Sequence, residues 1–267
     1  MTDSCTAAPS TAPSRDSVAL FAANAGAYAA FRPTYPSVLF DWLAQRCAQR
    51  ERALDIGCGN GQAARALRMH FDEVIGCDAS VEQLSSGEDW QGVRRLAADA
   101  EQIPVADGSL DLVVVAQALH WFATPIFFEE IRRALRPEGF FCAWCYSLLS
   151  VTPAIDELIG TLHGDTLRGC WPEGRRSVDA GYRDIEVPFA RLTAPAFALE
   201  TRWNLAQLVG YLRTWSAVAK YRQLHASDPV DALLAELSSR WGEPATTRTI
   251  RWPLHLIAGY PHRCATG

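Results

Sequence analysis

The stretch LDIGCGNGQ, residues 54–62, places a carboxylate, Asp55, and three glycines at alternate positions, Gly57, Gly59 and Gly61, around a short apolar run. Glycine reaches positive φ at no steric cost and leaves room for another group to approach the backbone. The stretch is therefore either a tight turn or a loop that holds a ligand. Further acids follow at intervals: Asp78 closes EVIGCD, and Asp99, Ala100 and Glu101 follow the apolar part of GVRRLAADAEQIP. His120 comes soon after SLDLVVVAQ, where an imidazole can act as a general base, donate to a substrate oxygen, or fill a structural role.

Bringing such groups together requires strands that end at one edge. A helix beginning near Pro36, with Leu39, Trp42, Leu43 and Cys47 on one face, precedes a strand at about 52–56. GQAARALRMHF reads as a helix with Ala64, Leu67 and Phe71 inward, EVIGCD as a second strand, SVEQLSS as a short helix and GVRRLAAD as a third strand. SLDLVVVAQ, an almost unbroken aliphatic run, suits a fourth strand covered on both faces. Thr124 as cap and Pro125 at the first helical position open a helix through Phe128, Ile131 and Leu135, and GFFCAWCY is the fifth strand. Alternating strands and helices of this length predict an α/β, doubly wound, mostly parallel sheet with right-handed crossovers. Beyond residue 150 the expected elements are a helix near 153–163, strands in YRDIEVPFARL and FALETRW, a long helix through NLAQLVGYLRTWSAVAKYRQLH, a helix over 229–240 and a last strand in TTRTIRWPLHLIAGY.

Composition narrows the partners. Thirty acidic against 25 basic residues give a formal net charge of −5, which argues against a nucleic-acid-gripping domain. Eight cysteines without repeated pairs, and no apolar leader in MTDSCTAAPSTAPSRDS, fit reduced thiols in a cytoplasmic protein. Cys142 and Cys145 lie in a predicted strand, where period-two geometry sends their sulfurs to opposite faces, so no metal is expected there. The uncharged stretches 112–128 and 139–155 are at the short edge of a membrane span and contain Gln117, His120, Pro125 and Pro153, so no membrane is expected as a partner.

Two cofactor chemistries compete for the glycine loop. A dinucleotide fold spaces its glycines G-x-G-x-x-G so that pyrophosphate rests on a helix N-terminus. Here the spacing is tighter, D-x-G-x-G-x-G, which disfavours a dehydrogenase. With Asp78, AADAEQIP, AQALHWF and LRPEGFF following in order, residues 50–146 resemble the class I S-adenosylmethionine-dependent methyltransferases. The resemblance implies a Rossmann-like fold of seven strands and S-adenosylmethionine as cofactor. It implies contacts from Asp55, Gly57, Cys58, Gly59 and Gly61, from Asp78 and Ala79 at the ribose, from Asp99, Ala100 and Glu101 at the adenine, and from Gln117. YAAFRPTYP, AQALHWF and YLRTWSA further resemble the trans-aconitate methyltransferase-like subgroup, which implies that Tyr28 and Arg32 fold over the cofactor. The expected organisation is a disordered arm over 1–17, a lid and helix over 18–49, a cofactor-binding core over 50–150, and a C-terminal half over 151–267. That last part carries a helical insertion covering the substrate.

Methyl transfer from a sulfonium is an in-line displacement that demands alignment and exclusion of water and requires no metal. His120 is the candidate catalytic residue, and with Trp121 a candidate contact to the acceptor; Phe122 completes an apolar wall. Trp203 and Tyr211 either line an acceptor pocket or, like Trp215, belong to the core. Arg168, Arg175 and Arg176 surround a WPEG turn and read as a solvated loop that could alternatively recognise an acidic acceptor, while Asp111 reads as solvated at the amino end of strand four. The expected reaction is O-methylation of a small-molecule carboxylate or hydroxyl. Methylation of tRNA or protein, and a non-catalytic cofactor-binding partner subunit, are the rival readings; oligomeric state is left open.

Overall fold

A computed structural model of the chain describes residues 33–86, 90 and 92–263. Its centre is a six-stranded sheet ordered β3-β2-β1-β4-β5-β8, built from β1 (Arg52–Ile56), β2 (Glu73–Asp78), β3 (Arg94–Ala97), β4 (Leu110–Ala116), β5 (Leu135–Cys145) and β8 (His255–Gly259). Every pairing is parallel except β5 with β8. Between β1 and β4 the strand order reverses, so a crevice opens outside the carboxyl ends of these two strands. All seven residues of β4 but Ala116 are buried, as its aliphatic run predicts.

Two apolar layers cover the sheet. Period-two alternation sends Ala53, Leu112, Val114, Cys142 and Trp144 to one face, where they meet α1 (Ser37–Arg46) and α2 (Gln62–Leu67). Leu54, Val113, Val115, Ala143 and Cys145 point to the other, against α4 (Pro125–Ala134); α3 (Val81–Ser86) lies between β2 and β3 in the chain. The two sulfurs of the Cys142/Cys145 pair thus lie on opposite faces. Thr124 caps α4 by accepting the Phe127 N–H at 3.1 Å, with Pro125 in the first turn.

The C-terminal half departs from expectation in four places. The sheet has six strands rather than seven, because 182–192 does not form a ladder. Pro188 has no N–H to donate, and the segment's backbone bond to β8 is Leu192 N–H to Ala258 O, 2.7 Å. Arg191 reaches back to the carbonyls of Tyr182 and Ile185, folding the segment into a loop whose Tyr182, Ile185 and Phe189 are buried. FALETRW does form a strand, β6 (Ala198–Trp203), but pairs antiparallel with β7 (Arg248–Pro253) in a separate two-stranded sheet.

The final apolar run splits into β7 and β8 at Pro253, after which the Leu254 N–H turns to Phe197 O, 2.9 Å. The long predicted helix also breaks, into α7 (Leu205–Arg213) and α8 (Ser216–His225). Thr214 Oγ1 donates to Tyr211 O at 2.6 Å, and Trp215 adopts an extended conformation as the cap of α8. Together with α5 (Pro153–Thr161), α6 (Arg175–Asp179) and α9 (Pro229–Trp241), these helices form the C-terminal helical part. Among the described residues no helix is long and apolar enough to cross a membrane.

Asp111 is not solvated. It is 4 % exposed; Oδ2 accepts the N–H groups of Glu51 and Arg52, each at 2.9 Å, and Oδ1 pairs with Arg136 at 2.6 Å. One carboxylate thereby joins the start of β1 to β4 and to β5. Asp111→Ala is expected to lower stability by roughly 2 to 4 kcal/mol, because three charge-assisted bonds vanish together and Arg136 loses its buried partner. Urea denaturation measures this; a loss under about 1 kcal/mol would contradict the assignment.

Candidate active site

The glycine loop leaves β1 through three left-handed residues: φ is +65° at Gly57, +54° at Gly59 and +80° at Gly61. Such a backbone excludes ordinary side chains. Space supplies a second reason at two of the three. A Cβ on Gly57 would lie 2.6 Å from the Ala118 Cβ, and one on Gly61 would lie 2.4 Å from the Trp90 ring. The close neighbour at Gly57 is thus the protein's own wall beyond β4 rather than ligand space. At Gly59 the nearest atom is the Gln83 side chain at 3.7 Å, so that glycine borders open room.

Beneath the loop lies Asp55, fully buried. Its Oδ2 accepts the Ala64 N–H of α2 at 3.0 Å, while Oδ1 is sealed from solvent with no partner among the described residues. Burial, against the Ala64 bond and with help from the charge of Asp78, pushes its carboxyl up to about 8. Asp78, at the end of β2, accepts the Gly59 N–H at 2.8 Å through Oδ2 and the Ser80 N–H at 2.9 Å through Oδ1. The exposed Ala79 follows it. Cys58 is buried, donates its N–H to Cys77 O at 3.0 Å, and has its thiol held protonated by burial beside Asp55 and Asp78.

Asp99, Ala100 and Glu101 follow β3 at the same edge. Asp99 is exposed and accepts the Glu101 N–H at 2.9 Å; the Glu101 carboxylate accepts the hydroxyl of Thr124, the cap of α4. Gln117 ends β4 in the left-handed region, φ +60°, with its N–H on Trp144 O at 2.9 Å and its amide on Tyr146 O at 3.1 Å. This sparsely populated conformation of a non-glycine residue is held from two sides. Tyr28 and Arg32 lie outside the described residues.

Past Gln117, a short helical turn, Leu119–Trp121, carries His120. Burial, with the nearby Arg175 charge adding to it, lowers the imidazole to about 4, so it is neutral at physiological pH. Its Nδ1 lies 3.1 Å from the Tyr182 hydroxyl, and its ring stands 4.7 Å from that of Trp121. Arg175 is not a solvated loop residue: its side chain is 21 % exposed, stacked 4.4 Å from Trp171 and paired with Asp179 at 2.8 Å. Arg168, by contrast, is 80 % exposed.

Tyr211 and Trp203 are both buried. The Tyr211 hydroxyl accepts the Trp252 indole N–H at 3.1 Å, and its ring sits near Trp215, with Tyr146 and Arg175 close enough to perturb it. Trp203 packs against Tyr211 and Trp252, each at 5.3 Å. Tyr146, Tyr182 and Trp90 were not legible as site residues. Tyr182 lies in a segment with a strand-like pattern, and Trp90 in a polar turn with no periodicity.

A floor carrying Asp78 at the rim and the buried carboxyl of Asp55 beneath suits hydroxyl-bearing or cationic groups, which are those of S-adenosylmethionine. The orphaned Asp55 oxygen and the open side of Gly59 fit that cofactor, and they occur where class I S-adenosylmethionine-dependent methyltransferases carry theirs. The chain belongs to this family. Residues 54–143 match the methyltransferase domain family. A Dictyostelium discoideum protein named as a methyltransferase is 34 % identical over 208 residues, 75 % of this chain and 78 % of that protein. A solved structure from Anaeromyxobacter dehalogenans, named as a type II methyltransferase, superposes with a TM-score of 0.82 at 37 % identity, over 86 % of this chain and 98 % of that one. A Saccharomyces cerevisiae protein named as an S-adenosylmethionine-dependent methyltransferase is 33 % identical over 124 residues, 43 % of each chain.

The raised carboxyl of Asp55 has a measurable consequence. Between the ordinary carboxylate value near 4 and its folded value of about 8, the ligand-free protein holds a proton that the unfolded chain has released. Its contribution to stability is complete below that window and is lost as pH rises through about 8. His120 works in the opposite sense, but only between about 4 and the ordinary histidine value near 6.5. Melting temperatures of the ligand-free protein from pH 6.5 to 9 should therefore fall, and Asp55→Asn should flatten the decline. An equal slope in the variant would show that Asp55 is not its source.

Proposed function

We propose that this methyltransferase acts on a small molecule and methylates an oxygen, that of a carboxylate or a hydroxyl. The observation that carries the reading is the pairing of a neutral histidine, His120, with a half-buried arginine, Arg175, beyond the carboxyl ends of β4 and β5. An arginine whose Nε is engaged by Asp179 still offers its terminal amino groups in a fork that matches a carboxylate. The resemblance of YAAFRPTYP and AQALHWF to the trans-aconitate methyltransferase-like subgroup points the same way. The acidic net charge supports a small acceptor over nucleic acid.

When bound, S-adenosylmethionine supplies an electrophilic methyl group on a sulfonium. Asp78 would accept hydrogen bonds from the ribose hydroxyls while keeping its bonds to Gly59 and Ser80. Asp99 and the Ala100–Glu101 backbone would take the adenine edge; Thr124 holds the Glu101 side chain in place. Asp55 would accept a donor from the methionine portion, with Gly57, Cys58, Gly59 and Gly61 shaping the wall and Tyr28 and Arg32 covering it. Gln117, fixed by Tyr146 O, would border the methyl group. His120 and Trp121 would contact the acceptor, with Tyr211 at its far side and Trp203 supporting that ring. Alignment and exclusion of water supply the rate, since a carboxylate is already ionised at neutral pH.

Calorimetry with S-adenosylmethionine and with NAD tests the donor half. Asp78→Ala should weaken S-adenosylmethionine binding by about 1 to 3 kcal/mol, the value of charged hydrogen bonds left unmade. Unchanged affinity in a folded variant would remove Asp78 from the site. The acceptor half is tested by S-adenosylhomocysteine release over paired small acids and their amides. Release is expected with acids and not with amides, and His120→Ala should reduce it while cofactor affinity persists. Turnover confined to amines, or to a macromolecule, would overturn the reading.

A further inference from the structure

Tyr182 is far from the glycine loop in sequence and lies outside every motif of the cofactor half, yet it is fully buried against His120. A buried phenol must place its proton on an acceptor. Among the described residues, the side-chain atom within hydrogen-bond reach of this hydroxyl is His120 Nδ1, at 3.1 Å. An Nδ1–H would instead donate to that oxygen and leave the buried phenolic proton without an acceptor among the described residues. Burial also holds the phenol protonated.

We propose that Tyr182 is a positioning residue that donates its hydroxyl proton to His120 Nδ1 and so fixes the imidazole as the neutral tautomer protonated on Nε2. Gly174 restricts the ring from the other side: a Cβ there would lie 2.5 Å from His120 Cδ2. The Nε2 atom makes no hydrogen bond to any of the described residues. In this tautomer Nε2 carries a hydrogen and has no lone pair for a proton. His120 is then a hydrogen-bond donor to the acceptor's oxygen, not the base that ionises it. The inference rests on His120 facing the acceptor, as proposed above. It deepens that reading: the accepting oxygen must arrive already anionic, which selects a carboxylate over an unactivated alcohol.

The tautomer can be read without any turnover. Long-range 1H–15N correlation spectra of the ligand-free, 15N-labelled protein at neutral pH resolve the imidazoles of its six histidines, and His120→Gln identifies the His120 signals. The expected pattern has the proton on Nε2 of His120 and an unprotonated Nδ1. In Tyr182→Phe the population should redistribute towards both tautomers, and turnover should fall about tenfold, the scale of one lost hydrogen bond, with S-adenosylmethionine affinity unchanged. A wild-type His120 protonated on Nδ1, or on both nitrogens, would overturn the proposal even if the variant does not fold. A wild-type Nε2–H tautomer that survives unchanged in Tyr182→Phe would remove Tyr182 from the role. Failure of the cofactor assignment would appear instead in calorimetry, with these spectra unaffected.

Discussion

The bond from the Gly59 N–H to the Asp78 carboxylate is the joint on which the rest of the site depends. It fastens the glycine loop leaving β1 to the end of β2, within a loop whose Gly57, Gly59 and Gly61 all adopt left-handed backbone. With the joint made, the loop delivers Gly61 against Trp90 and starts α2, whose Ala64 N–H reaches back to Asp55. Strand ends, loop and helix start thus close one hydrogen-bonded circuit around the crevice.

That circuit has an electrostatic consequence. Asp55 is dry and Asp78 lies at the rim; burial, with the Asp78 charge adding to it, disfavours charge on Asp55. In the ligand-free protein the cost is reduced by leaving Asp55 protonated. A ligand bringing hydroxyl donors to Asp78 and positive charge towards Asp55 would relieve the conflict, so the floor is built to prefer such a ligand.

The cofactor half was readable from sequence because its parts are local and ordered. D-x-G-x-G-x-G, Asp78 and AADAEQIP each follow a strand, and period-two runs locate strands well. Even there the reason for Gly57 and Gly61 was hidden: their obstacles, Ala118 and Trp90, sit 61 and 29 positions along the chain. Asp111 misled because its position at the amino end of a strand says nothing of Arg136. In the C-terminal half, single residues decide what periodicity cannot. Pro188 spoils a ladder, Pro253 moves one extended run between two sheets, and Thr214 breaks a continuous helical pattern by bonding its own preceding turn.

The acceptor half is illegible for a deeper reason. His120, Arg175, Tyr182 and Tyr211 come from four separate segments, and their chemistry depends on contacts between those segments. An isolated Arg175 in a WPEG turn looks solvated; stacked on Trp171 and paired with Asp179, it is a semi-buried cation that shifts the histidine beside it. The donor, common to the whole family, is met by residues within short sequence reach of the strand ends. The proposed acceptor contacts sit on loops that share no strand with one another, so those loops can change without disturbing the joint at Gly59 and Asp78. On the proposed assignment the sheet constrains which methyl donor binds, while the long-range contacts around His120 determine what is methylated.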